Sequence, residues 1–188
     1  MNQILLTGFG GQGILFAGKF LAYAGMLKGH EVTWLPAYGP ETRGGTSSCG
    51  VIISDDPIGS PVVLSPDILV CMNRPSLDKY ENSLAPGGTL FIDSTLVERK
   101  AAPREDRSVH YIPATGLAND NGLAGLANMI LMGRIIRVCN LFDRETAEKA
   151  LGKTISGRRQ DMLAQNLRAV DLGLAYHAET EGTVCQGK

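Results

Sequence analysis

The strongest constraint on the fold is a single junction near the start of the chain. The apolar run Ile4-Leu5-Leu6-Thr7 ends at a glycine turn, Gly8-Phe9-Gly10-Gly11-Gln12-Gly13. Beyond it, Ile14, Ala17, Gly18, Leu21, Ala22 and Gly25 recur at the i, i+3, i+4, i+7 spacing of one helical face. A short uninterrupted apolar run reads as a strand buried on both faces, and small residues on the helical face let the helix lie close to a sheet. Gly29 ends the helix and residues 31–35 read as a second strand. Strand, glycine turn, helix and strand within about 35 residues is the size of a βαβ unit.

The rest of the chain continues the alternation. Residues 49–54, 68–72, 90–92 and 109–112 read as strands. Residues 76–84, with Ser76 as N-cap, read as a short helix. Residues 122–140, 144–151 (capped by Asp143) and 158–178 read as three longer helices. Residues 99–107 read as a charged, exposed loop. This pattern predicts the α/β class: three layers, a mostly parallel sheet with a Rossmann-like N-terminal βαβ unit, and a helical C-terminal region. With 188 residues the expectation is a single domain over residues 1–179 and a flexible tail over 180–188.

Composition removes several classes of function. Eighteen Lys and Arg against nineteen Asp and Glu leave a net charge of −1, without the basic excess of a nucleic-acid binder. Cys49, Cys71, Cys139 and Cys185 are scattered, so the paired spacings of zinc, iron–sulfur and thioredoxin sites are missing. No metal ligands and no catalytic residues are assigned. His30, His110 and His177 are isolated and read as surface or loop histidines, Cys71 and Cys139 as small hydrophobes. The start carries no basic, apolar leader pattern, and the most apolar stretch is interrupted by Asn128, Arg134 and Arg137. A cytoplasmic protein without a membrane span is expected.

Two loops carry the candidate chemistry. Gly8 to Gly13 fits G-x-G-x-x-G in the required strand-to-helix context. There Gly8 allows the tight turn, Gly10 lets backbone N–H groups approach a pyrophosphate, Gln12 offers an amide, and Gly13 permits helix packing. The helix N-terminus adds partial positive charge. A glycine turn without a ligand is the alternative. An NAD site wants an acidic residue at the end of the second strand, where this chain has Trp34-Leu35-Pro36-Ala37. A phosphate loop at residues 13–20 fails because Phe20 replaces the hydroxyl that holds Mg²⁺. The second loop, Tyr38-Gly39-Pro40-Glu41-Thr42-Arg43-Gly44-Gly45-Thr46, follows the second strand. Arg43 beside Gly44 and Gly45 can clamp a phosphate or carboxylate, Glu41 can orient Arg43, and Thr46 adds a hydroxyl. A surface loop with an internal Glu–Arg pair is the alternative. Asp93-Ser94-Thr95 at a strand end is either a third wall of the same site or a cap.

Taken together, the two loops resemble the gamma subunit family of 2-oxoacid:ferredoxin oxidoreductases, which covers pyruvate, ketoisovalerate and 2-oxoglutarate types. The likeness extends through Ile53-Ser54-Asp55, Pro57-Ile58-Gly59-Ser60-Pro61, Pro66-Asp67-Ile68-Leu69-Val70, residues 72–80 and residues 87–94. The resemblance implies a subunit of an enzyme that oxidatively decarboxylates a 2-oxoacid and transfers the acyl group to coenzyme A. It implies thiamine diphosphate, Mg²⁺ and iron–sulfur clusters in partner subunits only. The implied partners are thiamine-binding and ferredoxin-like chains, and ferredoxin through the complex. Coenzyme A contact is expected at Gly8, Gly10, Gly11, Gln12, Gly13, Glu41, Arg43, Gly44, Gly45 and Thr46, with subunit contact as the other use of these loops. The stretch Arg43-Gly44-Gly45-Thr46-Ser47-Ser48-Cys49 looks closer to the 2-oxoglutarate type than to the pyruvate type, and branched-chain types look alike here. The isolated chain is expected to be inactive and can self-associate through surface meant for other subunits. A free-standing nucleotide-binding α/β protein, or a small NAD-dependent oxidoreductase, is the alternative.

Overall fold

The run Ile4-Leu5-Leu6 forms the middle of strand β1 (Asn2–Phe9), and all three residues are buried. That is the pattern of a central strand with a layer on each face. The computed structural model describes residues 1–38, 46–98, 100–155, 160–177 and 180–182. After β1 come α1 (Ile14–Leu27), β2 (Glu31–Tyr38), β3 (Thr46–Ser54), β4 (Ile68–Cys71), α2 (Arg74–Tyr80), β5 (Thr89–Asp93) and β6 (Ser108–Ile112). Four helices and a short strand follow: α3 (Ala114–Asp120), α4 (Ala127–Cys139), α5 (Arg144–Thr154), α6 (Gln160–Ala175) and β7 (Thr180–Gly182).

The strands form one sheet in the order β2-β3-β1-β4-β5-β6-β7. The α/β class stands, but the sheet is mixed rather than mostly parallel. β1, β4, β5 and β6 form a parallel block, while β3 is antiparallel to both β1 and β2, and β7 is antiparallel to β6. The expected βαβ unit is therefore split: α1 carries the chain from β1 to β2, and β3 returns between them. Burial explains the order. β3 is buried along nearly its whole length, whereas β2 exposes Trp34 and Leu35 by 40% each and contains Pro36. A strand with proline and a wet flank belongs at an edge.

One face of the sheet carries the larger core, where Ile4, Leu6, Val51, Ile53, Val70 and Phe91 meet α1, α4, α5 and α6. The other face carries a smaller core of Leu5, Leu69, Cys71, Leu90 and Ile92 under Leu77 of α2 and Leu84. The predicted three layers are present.

Several boundaries differ from expectation. The helix expected over residues 122–140 begins only at Ala127, because Gly122 (φ 68°) and Gly125 (φ 84°) turn left-handed and cannot continue a right-handed helix. α3 lies ahead of that turn, in a stretch with little helical patterning. The N-cap of α2 is Asn73, whose Oδ1 accepts from Ser76 N at 2.8 Å, so Ser76 lies inside the helix. Asp143 caps α5 as expected, accepting from Thr146 N at 2.7 Å. In the expected charged loop, Arg107 is buried, donating to Glu81 O and Ala102 O. His110, expected at the surface, is 5% exposed on β6. Thr180–Gly182, expected in the tail, pair with β6.

Candidate functional site at the carboxyl ends of the parallel strands

In an open α/β sheet, ligands bind outside the carboxyl ends of the parallel strands, where successive connections diverge. Here that point is β1. Its chain exits through the glycine turn into α1 on one side, and the ends of β4, β5 and β6 line up on the other. Gly13 is the residue before α1 and adopts φ 74°, ψ 22°. This left-handed step aims the first N–H groups of α1 at the crevice, and it costs an L side chain about 1–2 kcal/mol.

The turn is held by side-chain amides. Gln12 folds back so that Oε1 accepts from Phe9 N at 2.6 Å and from Asn73 Nδ2 at 3.3 Å. Its Nε2 donates to Met72 O at 3.1 Å. Gln12 thus ties the turn to the end of β4, and Asn73 links that tie to the cap of α2. From the other side Asn128 of α4 donates to Gly13 O at 3.1 Å. Asn128 is buried, and its Oδ1 has no hydrogen-bond partner among the described residues. Gly10 and Gly11 face open space, since a Cβ at either would meet nothing within 4 Å. The result is a rigid turn with an open backbone surface.

A cleft of about 200 Å³ adjoins the turn, lined by Gly11, Gln12, Met72, Leu96, Thr115 and Asn119 among others. Asp93, fully buried, does not line it. Its carboxylate accepts from Thr95 N at 3.1 Å, Thr115 N at 3.2 Å and Thr115 Oγ1 at 2.5 Å, fastening α3 to the end of β5. Of its two expected uses, the capping one describes what Asp93 does. The residues lining the cleft include no charged side chain. The cleft offers backbone N–H, amide and hydroxyl groups, which suit recognition of a polar or anionic group rather than proton transfer.

The anchors of the second loop reach the same place by register. Phe9 pairs with Thr46, Gly8 with Ser47, and Tyr38 also with Ser47. Both anchors of the second loop, Tyr38 and Thr46, therefore stand beside the glycine turn at the same end of the sheet. Glu41, Arg43, Gly44 and Gly45 lie outside the described residues. Of the expected site residues, Gly8, Gly10, Gly11, Gln12, Gly13 and Thr46 are thus brought together. Sequence reasoning missed Asn128, for which the sequence carries no local signal. It also missed Asn73, whose signal was an Asn directly before Arg74-Pro75, since proline favours the first turn of a helix.

A family model for pyruvate ferredoxin/flavodoxin oxidoreductase matches residues 3–176. The 2-oxoglutarate synthase subunit KorC of Methanocaldococcus jannaschii is 40% identical over 152 residues, covering 80% of this chain and 81% of the relative. The ketoisovalerate oxidoreductase subunit VorA of Methanothermobacter thermautotrophicus is 38% identical over 178 residues. This chain spans 94% of its own length in that match but 36% of VorA's. Among solved structures, the gamma subunit of a keto/oxoacid ferredoxin oxidoreductase from Geobacter sulfurreducens superimposes with a TM-score of 0.77 at 30% identity, covering 92% of this chain and 96% of that one. The 2-oxoglutarate:ferredoxin oxidoreductase of Magnetococcus marinus, solved with 2-oxoglutarate, coenzyme A and succinyl-CoA bound, shares the fold. It has a TM-score of 0.83 at 23% identity and covers 93% of this chain and 30% of that one. By sequence and by fold, the chain belongs to the pyruvate ferredoxin/flavodoxin oxidoreductase family.

Proposed function

We propose that this chain is the gamma subunit of a 2-oxoacid:ferredoxin oxidoreductase that converts a 2-oxoacid, coenzyme A and oxidised ferredoxin to acyl-CoA, carbon dioxide and reduced ferredoxin. In this reading the chain binds the phosphate-bearing part of coenzyme A and docks onto catalytic partner subunits. The observation that carries it is the Phe9–Thr46 pairing, which joins the open glycine turn to the anchor of the Arg43 loop. A coenzyme A phosphate suits this place: Gly10 and Gly11 leave their backbone uncovered, and the N-terminus of α1 lies directly behind them. The guanidinium of Arg43 supplies the charge that the cleft itself lacks. Thiamine diphosphate and iron–sulfur clusters reside in the partners, since the chain has neither a thiamine–magnesium motif nor grouped cysteines. The preferred oxoacid is 2-oxoglutarate, supported by the KorC relative and by the wording of the Arg43–Cys49 stretch. The location is the cytoplasm, and no helix among the described residues is long and apolar enough to cross a membrane.

The split topology weighs against a dinucleotide enzyme. An acidic residue that holds the ribose sits at the end of the strand next to β1. Here that neighbour is β3, which runs the opposite way and brings Thr46 and Ser47 to the site instead.

The test is Arg43→Ala in the assembled enzyme. Losing a charge-assisted bond of roughly 1.5–3 kcal/mol raises the KM for coenzyme A by about 10- to 150-fold, with assembly intact. Impaired assembly with an unchanged KM would assign the loop to subunit contact instead.

A further inference from the structure

A second cavity lies at the opposite end of the sheet, against the amino ends of the parallel strands. It has a volume of about 390 Å³, within the roughly 300–1,000 Å³ of small-molecule sites. Its floor is a row of residues on one face of neighbouring strands. Ile68 on β4 pairs with Thr89 on β5, which pairs with Ser108 on β6, and His110 follows two residues on. The C-terminus of α4, from Val138 to Asn140, lies over this row, and Asp67 stands beside it.

The polarity of that floor is unexpected. Strands of a parallel block are buried on both faces and normally read as Val, Ile and Leu. Here Thr89 (7% exposed), Ser108 (2%) and His110 (5%) line an internal space. Ser108 Oγ donates to Thr89 Oγ1 at 3.1 Å, which leaves the Thr89 hydroxyl proton free to point elsewhere. The His110 ring stacks on Phe91 with centroids 5.1 Å apart, and its Nδ1 has no hydrogen-bond partner among the described residues.

The charge of the cavity selects the ligand. Asp67 is the one charged side chain among its lining residues; one carboxylate oxygen accepts from Gln3 N at 2.8 Å. α4 ends over the cavity at Asn140 in left-handed backbone, φ 48°, ψ 42°, so the negative end of the helix dipole faces it. Arg134 of α4 is close enough for its charge to lower the His110 pKa, and its guanidinium donates to Tyr176 O at 2.7 Å. Ile68 and Val138 supply apolar wall.

We propose that this cavity is a second small-molecule site, for a ligand with an ammonium head and a short apolar body. The head lies between Asp67 and the end of α4, with the His110 ring in the wall beside it.

The experiment is an NMR titration of the full-length chain, reading the ring carbon-bound protons of His110. That signal is identified by its loss in His110→Gln. The probes are butylammonium, butyrate and 1-butanol, matched in size and different in charge. Saturable shifts with butylammonium alone are expected, with affinity about tenfold weaker in Asp67→Asn, which keeps the acceptor for Gln3 N. Equal shifts with butyrate or butanol would overturn the ammonium preference, and no saturable shift with any probe would overturn the site itself.

Discussion

The Asn128 side chain donates to the Gly13 carbonyl at 3.1 Å, joining residues 115 positions apart, and its amide nitrogen occupies the space where a Gly13 Cβ would be. The glycine is thus required twice, by its left-handed backbone and by the amide beside it. Gly13→Ala therefore costs the left-handed penalty of about 1–2 kcal/mol plus an overpacking cost of about 1–3 kcal/mol. In Gly13→Ala/Asn128→Ala the overpacking part is recovered and the backbone part is not. Urea denaturation of the two single variants and the double variant checks this, and strictly additive effects would show that the amide does not constrain the turn.

Gln12 is the second restraint on the same turn. Replacing it with alanine strands Phe9 N and removes a partner of Asn73, the cap of α2. The expected loss is about 1–3 kcal/mol. Because the amide is spent on the turn, the proposed coenzyme A site would lose positioning rather than a contact. In the assembled enzyme, Gln12→Ala raises the coenzyme A KM less than Arg43→Ala does, while it lowers the melting temperature more. The reverse order would mean that Gln12 touches the ligand.

How much of this was legible in the sequence depended on distance along the chain. The β1–turn–α1 junction was readable because its signals are local: an apolar run, glycines at fixed offsets and a helical stripe. The insertion of β3 between β1 and β2 was not, because adjacency is set by which strand can be buried on both faces, and Trp34, Leu35 and Pro36 disqualify β2 only once the sheet exists. The meeting of the glycine turn with the anchors of the second loop follows from that insertion, so the sequence named the loops without placing Thr46 beside Phe9. Asn128 and His110 were read as an interruption of an apolar stretch and as a surface residue. Both are buried because of partners far away in sequence.

The contact between α4 and α6 gives a prediction remote from the site. A Cβ on Gly133 would strike Val170 O, and one on Gly173 would strike Ile130 O, so the two backbones touch through reciprocal glycines. Neither clash can be relieved by turning a side chain. Gly133→Ala and Gly173→Ala should each destabilise by at least about 2 kcal/mol, against a helix-propensity gain of under about 1 kcal/mol. Thermal denaturation checks the sign, and a stabilised variant would show that the helices can separate at little cost.

Acid stability should fall in two stages, because two groups titrate in separate windows. Burial, with a smaller contribution from Arg134, holds the His110 pKa down at about 4, against 6.5 for a free imidazole. The unfolded chain therefore binds the extra proton first. Stability from this group is full above pH 6.5, declines as the pH falls toward 4 and is constant below that, for a total of about 3 kcal/mol. Asp143 acts later. The Thr146 N–H and hydroxyl at its helix cap, and then Lys28, hold its carboxyl well below the usual carboxylate range, so its contribution is lost only as the pH drops beneath the normal carboxylate pKa. His110→Gln should flatten the decline between pH 6.5 and 4 and leave the more acidic one in place, whereas Asp143→Ala should do the opposite. Unfolding free energies measured across pH 3 to 8 separate the two, and an unchanged slope above pH 4 in His110→Gln would show that this histidine is not held neutral in the folded chain.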